Sequence, residues 1–106
     1  MIVSNHPTPL VSVVIPAYNE ELAIKHDIEI IQAALDGAGY DWELIVVDDG
    51  SQDRTAEIAE SLGAVVLRHA LNKGTGGARS TGVRYAKGEI IIMTDADGTY
   101  PNQDMP

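Results

Sequence analysis

The sequence predicts an α/β fold, a mostly parallel sheet with helices on both faces. Three observations carry that reading. Short apolar runs alternate, in order, with segments whose apolar residues recur at helical spacing. The apolar runs are apolar on both faces, as expected of strands covered on both sides and joined by helical crossovers. Glycine or proline punctuates most junctions between the two kinds of segment.

Residues 1–10 form a polar lead containing Pro7 and Pro9, and residues 11–106 hold the folded unit. LVSVVIP reads as a strand ended by Pro16. EELAIKHDIEIIQAALDGAG carries Ile24, Ile28, Ile31 and Leu35 at helical spacing, with Gly37 and Gly39 as its stop. WELIVV is the second strand. DRTAEIAESLG is a helix with Thr55, Ile58, Ala59 and Leu62 on one face and Gly63 at its end. AVVLRH is the third strand, NKGTGG a glycine-rich turn, ARSTGVRYAKG a helix and EIIIMT the fourth strand. The strand–helix unit recurs as architecture, since the copies share no residue pattern.

With 106 residues the chain is one small domain at most. Hydrophobic residues at 44% and charged residues at 22% are ordinary for a chain that folds. Sixteen acids against seven bases give a net charge of −9, which argues against nucleic-acid binding through a basic surface. Five of the bases, Arg68, Lys73, Arg79, Arg84 and Lys87, nevertheless fall in one segment and could present local positive charge to an anionic ligand. The absence of cysteine excludes disulfides and thiolate metal sites. No signal-peptide pattern and no apolar run of about 20 residues is present, so a soluble, cytoplasmic chain is expected.

In open sheets of this kind ligands bind beyond the carboxyl ends of the strands. There the sequence reads PAYNEE, DDGSQD, HALNKGTGG and DADGTYP. Asp95 and Asp97 are separated by Ala96, and carboxylates this close repel unless a cation sits with them. Hard oxygen donors suit Mg²⁺ or Mn²⁺, ions that also bridge to phosphates. The plainer alternative is a solvated turn in which Asp97 and Gly98 make the bend. Asp48 and Asp49 end the second strand. Ser51 or Asp53 can cap the helix that follows, a role that does not require two further aspartates; one of these could accept from a nucleobase N–H.

NKGTGGARSTG offers close backbone approach at its glycines and cations at Lys73 and Arg79, a combination suited to a diphosphate, although it is not the Walker pattern. The alternative is a flexible connection, with Gly82 allowing its helix to pack closely. Tyr18, Asn19 and Glu20 follow the first strand, and Asn19 is a natural N-cap for the next helix. His6, His26 and His69 show no ligand spacing and are expected at the surface.

Taken in order, VSVVIPAYNEE, ELIVVDDGSQDRT, NKGTGGARSTGVRYAKGE and IIIMTDADGTYP resemble the nucleotide-binding half of the family 2 glycosyltransferases, which have the Rossmann-like GT-A fold. The likeness runs from Val11 onward. DADGTYP is most similar to the branch holding dolichol-phosphate mannose and glucose synthases and bacterial polyprenyl-phosphate relatives. The resemblance implies the N-terminal half of a GT-A fold, truncated. It implies that Asp97, helped by Asp95, holds Mg²⁺ or Mn²⁺ on the diphosphate of a nucleotide sugar, with Ala96 beside the donor. Asp49 would accept from the base and Asp48 would lie nearby. Pro16, Ala17, Tyr18, Asn19 and Glu20 would line the nucleoside pocket, and Lys73, Gly74 and Arg79 would lie near the diphosphate. In several members of that branch a glutamine two places after the second aspartate joins the metal shell. Here that position is Thr99, a weaker ligand.

The implied reaction is an inverting displacement at the anomeric carbon, with a metal stabilising charge as the nucleoside diphosphate leaves. Members with a hydroxyl acceptor need a general base, an acidic residue well beyond the metal motif. This sequence ends at Pro106, nine residues after Asp97, so base, acceptor site and membrane-contact elements are expected outside it and the chain alone is expected to be inactive. A polyprenyl phosphate acceptor is already ionised and needs no strong base. In the GT-A order later strands flank the fourth, so EIIIMT is expected to be an uncovered apolar edge and this chain to self-associate. Association of the full protein with a membrane surface is a further implication.

Two other readings compete. ELIVVDDGSQDRTAEIAESLG resembles the opening strand, acidic pair and first helix of a phospho-accepting receiver domain, although the forty residues before it fit poorly. A sugar-nucleotidyltransferase would use GTGGAR as its glycine loop, but after the first strand rather than the third.

Overall fold

The computed structural model describes residues 11–94. The elements alternate as β1 (Val11–Ala17), α1 (Ile24–Ala38), β2 (Trp42–Asp48), α2 (Thr55–Ser61), β3 (Val65–Arg68), α3 (Gly74–Tyr85) and β4 (Ile90–Met93). All described strand pairs are parallel, in the order β3-β2-β1-β4. The expected α/β sheet with helices on both faces is therefore the observed one. No helix among the described residues is long and apolar enough to cross a membrane.

Side-chain alternation along the two central strands sorts the core into two layers. Val11, Val13, Ile15 and Ala17 of β1, with Leu44 and Val46 of β2, face Ile24, Ile28, Ile31 and Leu35 of α1 and Ala59 of α2. Val14, Ile45 and Val47 point to the opposite face and meet Ala78 of α3. The period of two in the strands and of about 3.6 in α1 thus converge on one buried seam. All four predicted apolar positions of α1 are fully buried. Burial of each such side chain contributes about 1.5–3 kcal/mol.

Gly39, at φ +79, ends α1 in the left-handed region, with its N–H donating to the carbonyls of Leu35 and Asp36; Gly37 lies inside the helix. Gly63, at φ +90, follows α2 in the same way. Gly82 permits the close approach of α3 to the sheet, because a Cβ there would stand 2.3 Å from Val14 Cγ1.

Three local expectations are corrected. Pro16 does not end β1: it pairs with Val47 and the strand runs on to Ala17. It lies beyond the Val14–Met93 pair that closes the described ladder with β4, so its missing N–H removes none of those bonds. GTGG is the first turn of α3 rather than a loop. Asn19 is not the N-cap of α1: that position is Ala23, which offers no side-chain cap. β4 is an end strand among the described residues, with Ile90, Ile91 and Met93 exposed, as the uncovered apolar edge requires.

Candidate functional site

The chain steps outward from β1 to β2 to β3, then returns across the sheet so that β4 pairs with the other side of β1. The reversal between β1 and β4 is the switch point at which the diverging loops of an open α/β sheet leave a crevice. Pro16, Ala17 and Tyr18 stand at its β1 side. Asp95, Ala96 and Asp97 follow β4 in sequence and lie outside the described residues, as do Thr99, His6 and residues 1–10. Among the described residues no group of three or more His, Cys, Asp or Glu could hold a metal.

The loops after β1 and β2 are bound to each other by side chains. Asn19, in the left-handed region at φ 51, donates its N–H to Ser51 Oγ (2.8 Å), and its Oδ1 accepts from the N–H of Gln52 (2.8 Å). The N–H of Glu20 donates to Thr55 Oγ1 (2.8 Å), that of Glu21 to Asp53 Oδ2 (3.2 Å), and that of Arg54 to Glu21 Oε1 (3.0 Å). Asp53 Oδ1 also accepts from the N–H and hydroxyl of Thr55. Asp53 therefore caps α2 as predicted, whereas the Ser51 hydroxyl serves the β1 loop. An open cavity of about 430 Å³ lies here, lined by Asn19, Glu20, Glu21, Leu22, Ala23 and Asp53. Its size suits a small ligand. Its acids, Glu20, Glu21 and Asp53, disfavour a phosphate.

Asp48 and Asp49 are both buried. Asp48 Oδ1 accepts from the N–H of Ser51 (3.2 Å). Asp49 is a hub: Oδ1 accepts from His69 Nδ1 (2.7 Å) and the N–H of Lys73 (2.8 Å), and Oδ2 from the N–H of Gly74 (2.8 Å). It thus caps α3 from a distance, placing a carboxylate at the positive end of a helix whose own N-cap, Lys73, supplies no side-chain bond. An ionised carboxylate has about four acceptor positions, and the described internal donors fill three of them. Burial pushes the Asp49 carboxyl up, but the His69 bond, the two amides and the charge of His69 together hold it below the ordinary 3.8. Asp53 follows the same pattern: burial raises it, and the bonds from Thr55 and Glu21 lower it further. The acid pair has internal work that its spacing did not reveal.

His69 is the residue that sequence reasoning missed. Expected at the surface, it follows β3 with its side chain only 7% exposed, between Asp49 and Thr81 Oγ1 (2.9 Å from Nε2). Its position at a strand end was the available signal. His26 is exposed, as expected. Arg79 is half-buried on α3, and the Lys73 side chain is exposed at that helix's start.

Residues 12–106 match the family described as Glycosyl transferase family 2. The chain belongs to that family. This membership removes the receiver and nucleotidyltransferase readings, since the match runs unbroken through all four strand-end segments. The family 2 chain is 45% identical over 96 residues to an uncharacterised protein of Methanocaldococcus jannaschii, covering 88% of this chain and 37% of that protein. It is 38% identical over 107 residues to an undecaprenyl-phosphate 4-deoxy-4-formamido-L-arabinose transferase of Pseudomonas paraeruginosa, covering 95% of this chain and 32% of the relative. The mannosyltransferase of Pyrobaculum calidifontis, solved with GDP-Man and Mn²⁺, superposes with a TM-score of 0.75 at 31% identity, covering 92% of this chain and 30% of that one. The family 2 chain therefore spans about a third of the length of these relatives.

Proposed function

We propose that residues 11–106, preceded by a ten-residue lead, are the donor-binding part of an inverting glycosyltransferase that moves a sugar from a nucleoside diphosphate to a polyprenyl phosphate. The observation that carries this is the hydrogen bonding of PAYNE to the loop after β2, and of Asp49 in that loop to NKGTGG, in a chain of this family. The likeness to an undecaprenyl-phosphate sugar transferase supports the acceptor class.

In this reading Pro16, Ala17, Tyr18, Asn19 and Glu20 line the nucleoside pocket, held in place by the bonds to Ser51, Gln52 and Thr55. Asp49 accepts from a base N–H, with Asp48 beside it. Lys73, Gly74 and Arg79 face the diphosphate. Asp95 and Asp97, with Ala96 between them, follow β4 directly, and Thr94 is tied to β1 through its N–H to Val14 O (3.1 Å). Two carboxylates there are hard donors that fit Mg²⁺ or Mn²⁺. When bound, such an ion offsets charge on the departing diphosphate. The chain spans about a third of the length of these relatives, and the transfer is proposed of the full protein. The full protein works in the cytoplasm, at the cytoplasmic face of the membrane.

Calorimetric titration of the chain with UDP and GDP, with and without Mn²⁺, tests both base and metal. One nucleotide binding more tightly with Mn²⁺ is the expected result. No binding of either under both conditions overturns the reading.

A further inference from the structure

We infer that His69 is a positioning residue of the donor site: through Asp49 and Thr81 it fixes the carboxylate at the end of the β2 strand against the glycine-rich start of α3. The inference rests on the donor-site reading above, and the test separates the two.

The backbone of His69 is set by its N–H, which donates to Asp48 O (2.8 Å) as the ladder between β2 and β3 runs out. Its imidazole then reaches two other elements. Nδ1 lies 2.7 Å from Asp49 Oδ1, and Nε2 lies 2.9 Å from Thr81 Oγ1, which is itself 3.1 Å from Gly77 O. An ionised carboxylate carries no proton, so Nδ1 must donate. One ring thereby joins the ends of β2 and β3 to the body of α3.

α3 needs that support. Four of its twelve residues are glycine, only Ala78 and Gly82 are buried, and its N-cap residue supplies no side-chain bond. Glycine costs about 1 kcal/mol relative to alanine in a helix, so the first turn, GTGG, is poorly held by its own propensity. Asp49 holds it, through the N–H groups of Lys73 and Gly74. Yet those two donors belong to the turn being held. The Asp49 backbone is tied to β1 through its N–H to Ala17 O (2.8 Å), but among the described bonds to its carboxylate the one from elsewhere in the fold is that of His69. Without it the carboxylate and the turn can shift together, and with them the amides of Lys73 and Gly74 and the direction of Arg79.

Three substitutions in the full 106-residue chain separate positioning from stability. Asn places an amide N–H where Nδ1 was, so His69→Asn keeps the donor to Asp49 and loses Thr81. His69→Gln places its amide near Thr81 and loses the donor to Asp49. His69→Ala loses both. Calorimetry with UDP and GDP in the presence of Mn²⁺ is read beside thermal midpoints. His69→Gln and His69→Ala should weaken the nucleotide that the unaltered chain binds by about tenfold, the scale of one lost charge-assisted hydrogen bond, while His69→Asn stays within about threefold. Unchanged binding in His69→Ala, or equal losses in His69→Asn and His69→Gln, overturns the inference. Should His69→Ala fail to fold, the Asn and Gln pair still decides.

If the unaltered chain binds neither nucleotide, the donor-site reading fails on its own. Amide exchange at Lys73 and Gly74 then tests the positioning. Exchange faster by about tenfold in His69→Gln but not in His69→Asn supports it, and equal exchange in both overturns it.

Discussion

Gly82 on α3 lies so close to Val14 on β1 that a Cβ built on the glycine stands 2.3 Å from the valine Cγ1 and 3.2 Å from Cγ2 of Val47. Real carbon atoms do not approach that closely, so any side chain at 82 must push α3 off the sheet. Gly82→Ala is expected to destabilise the chain by about 1 kcal/mol net, since overpacking at so short a contact costs about 2 kcal/mol and outweighs the gain of about 1 kcal/mol from helix propensity. Gly37→Ala is the control: nothing lies within 4 Å of its Cβ position, so it should gain about 0.5–1 kcal/mol. Urea unfolding measures both. Adding Val14→Ala to Gly82→Ala should cost less than the sum of the two single changes, and strict additivity would show that the contact is not what limits position 82.

The bonds between the β1 and β2 loops turn on Asn19. Its left-handed backbone and its Oδ1 bond to Gln52 are separate contributions, and two substitutions divide them. Asn19→Gly keeps the backbone freedom and loses the acceptor, whereas Asn19→Ala loses both. A loss of about 1 kcal/mol is expected for glycine and about 2 kcal/mol for alanine. Equal losses in thermal or urea unfolding would remove backbone strain from the account.

What the sequence disclosed and what it hid follow from the range of the interactions. Ile24, Ile28, Ile31 and Leu35 were legible because helical period is local, and all four are buried. Gly39 and Gly63 were legible as stops because a left-handed residue needs no distant partner. Asn19 was misread as a cap because its Oδ1 acts on Gln52, 33 positions away. GTGG looked like a loop because glycine opposes helix, and in the fold the Gly74 N–H at its start is capped both by Asn72 and by Asp49, 25 positions before it. His69 carried no periodic signal at all: two partners from different elements bury it. The strand-end rule pointed to the loops that these bonds join, while the division of labour among their acids and the imidazole came only from three-dimensional contacts.

Asp49 and Asp53 give the fold an acid-labile component. Burial alone would raise both, and the hydrogen bonds that outweigh it hold both below 3.8 in the folded chain. On acidification the unfolded chain therefore takes up protons first. The stability contributed by these two carboxylates is fully present above about pH 5 and is lost as pH falls through the folded values, below 3.8. Asp53→Asn should be less stable than the unaltered chain at pH 7 and should lose less on going from pH 5 to pH 2.5. Urea midpoints across that range check the sign, and parallel pH profiles for the two proteins would refute it.

The β4 edge exposes Ile90 at 49%, Ile91 at 40% and Met93 at 48%, beside backbone groups that face away from β1. An apolar strand at a sheet edge is a template for another chain, and a second copy of this one presents the same edge. Sedimentation velocity of the 106-residue chain at micromolar concentration should show concentration-dependent association. Ile91→Lys places a charge on that edge, the device by which natural edges resist pairing, and should return the chain to monomer. Its side chain is already half in solvent, so the thermal midpoint should move little. A monodisperse monomer of the unaltered chain would mean that the edge is covered by something other than a second copy.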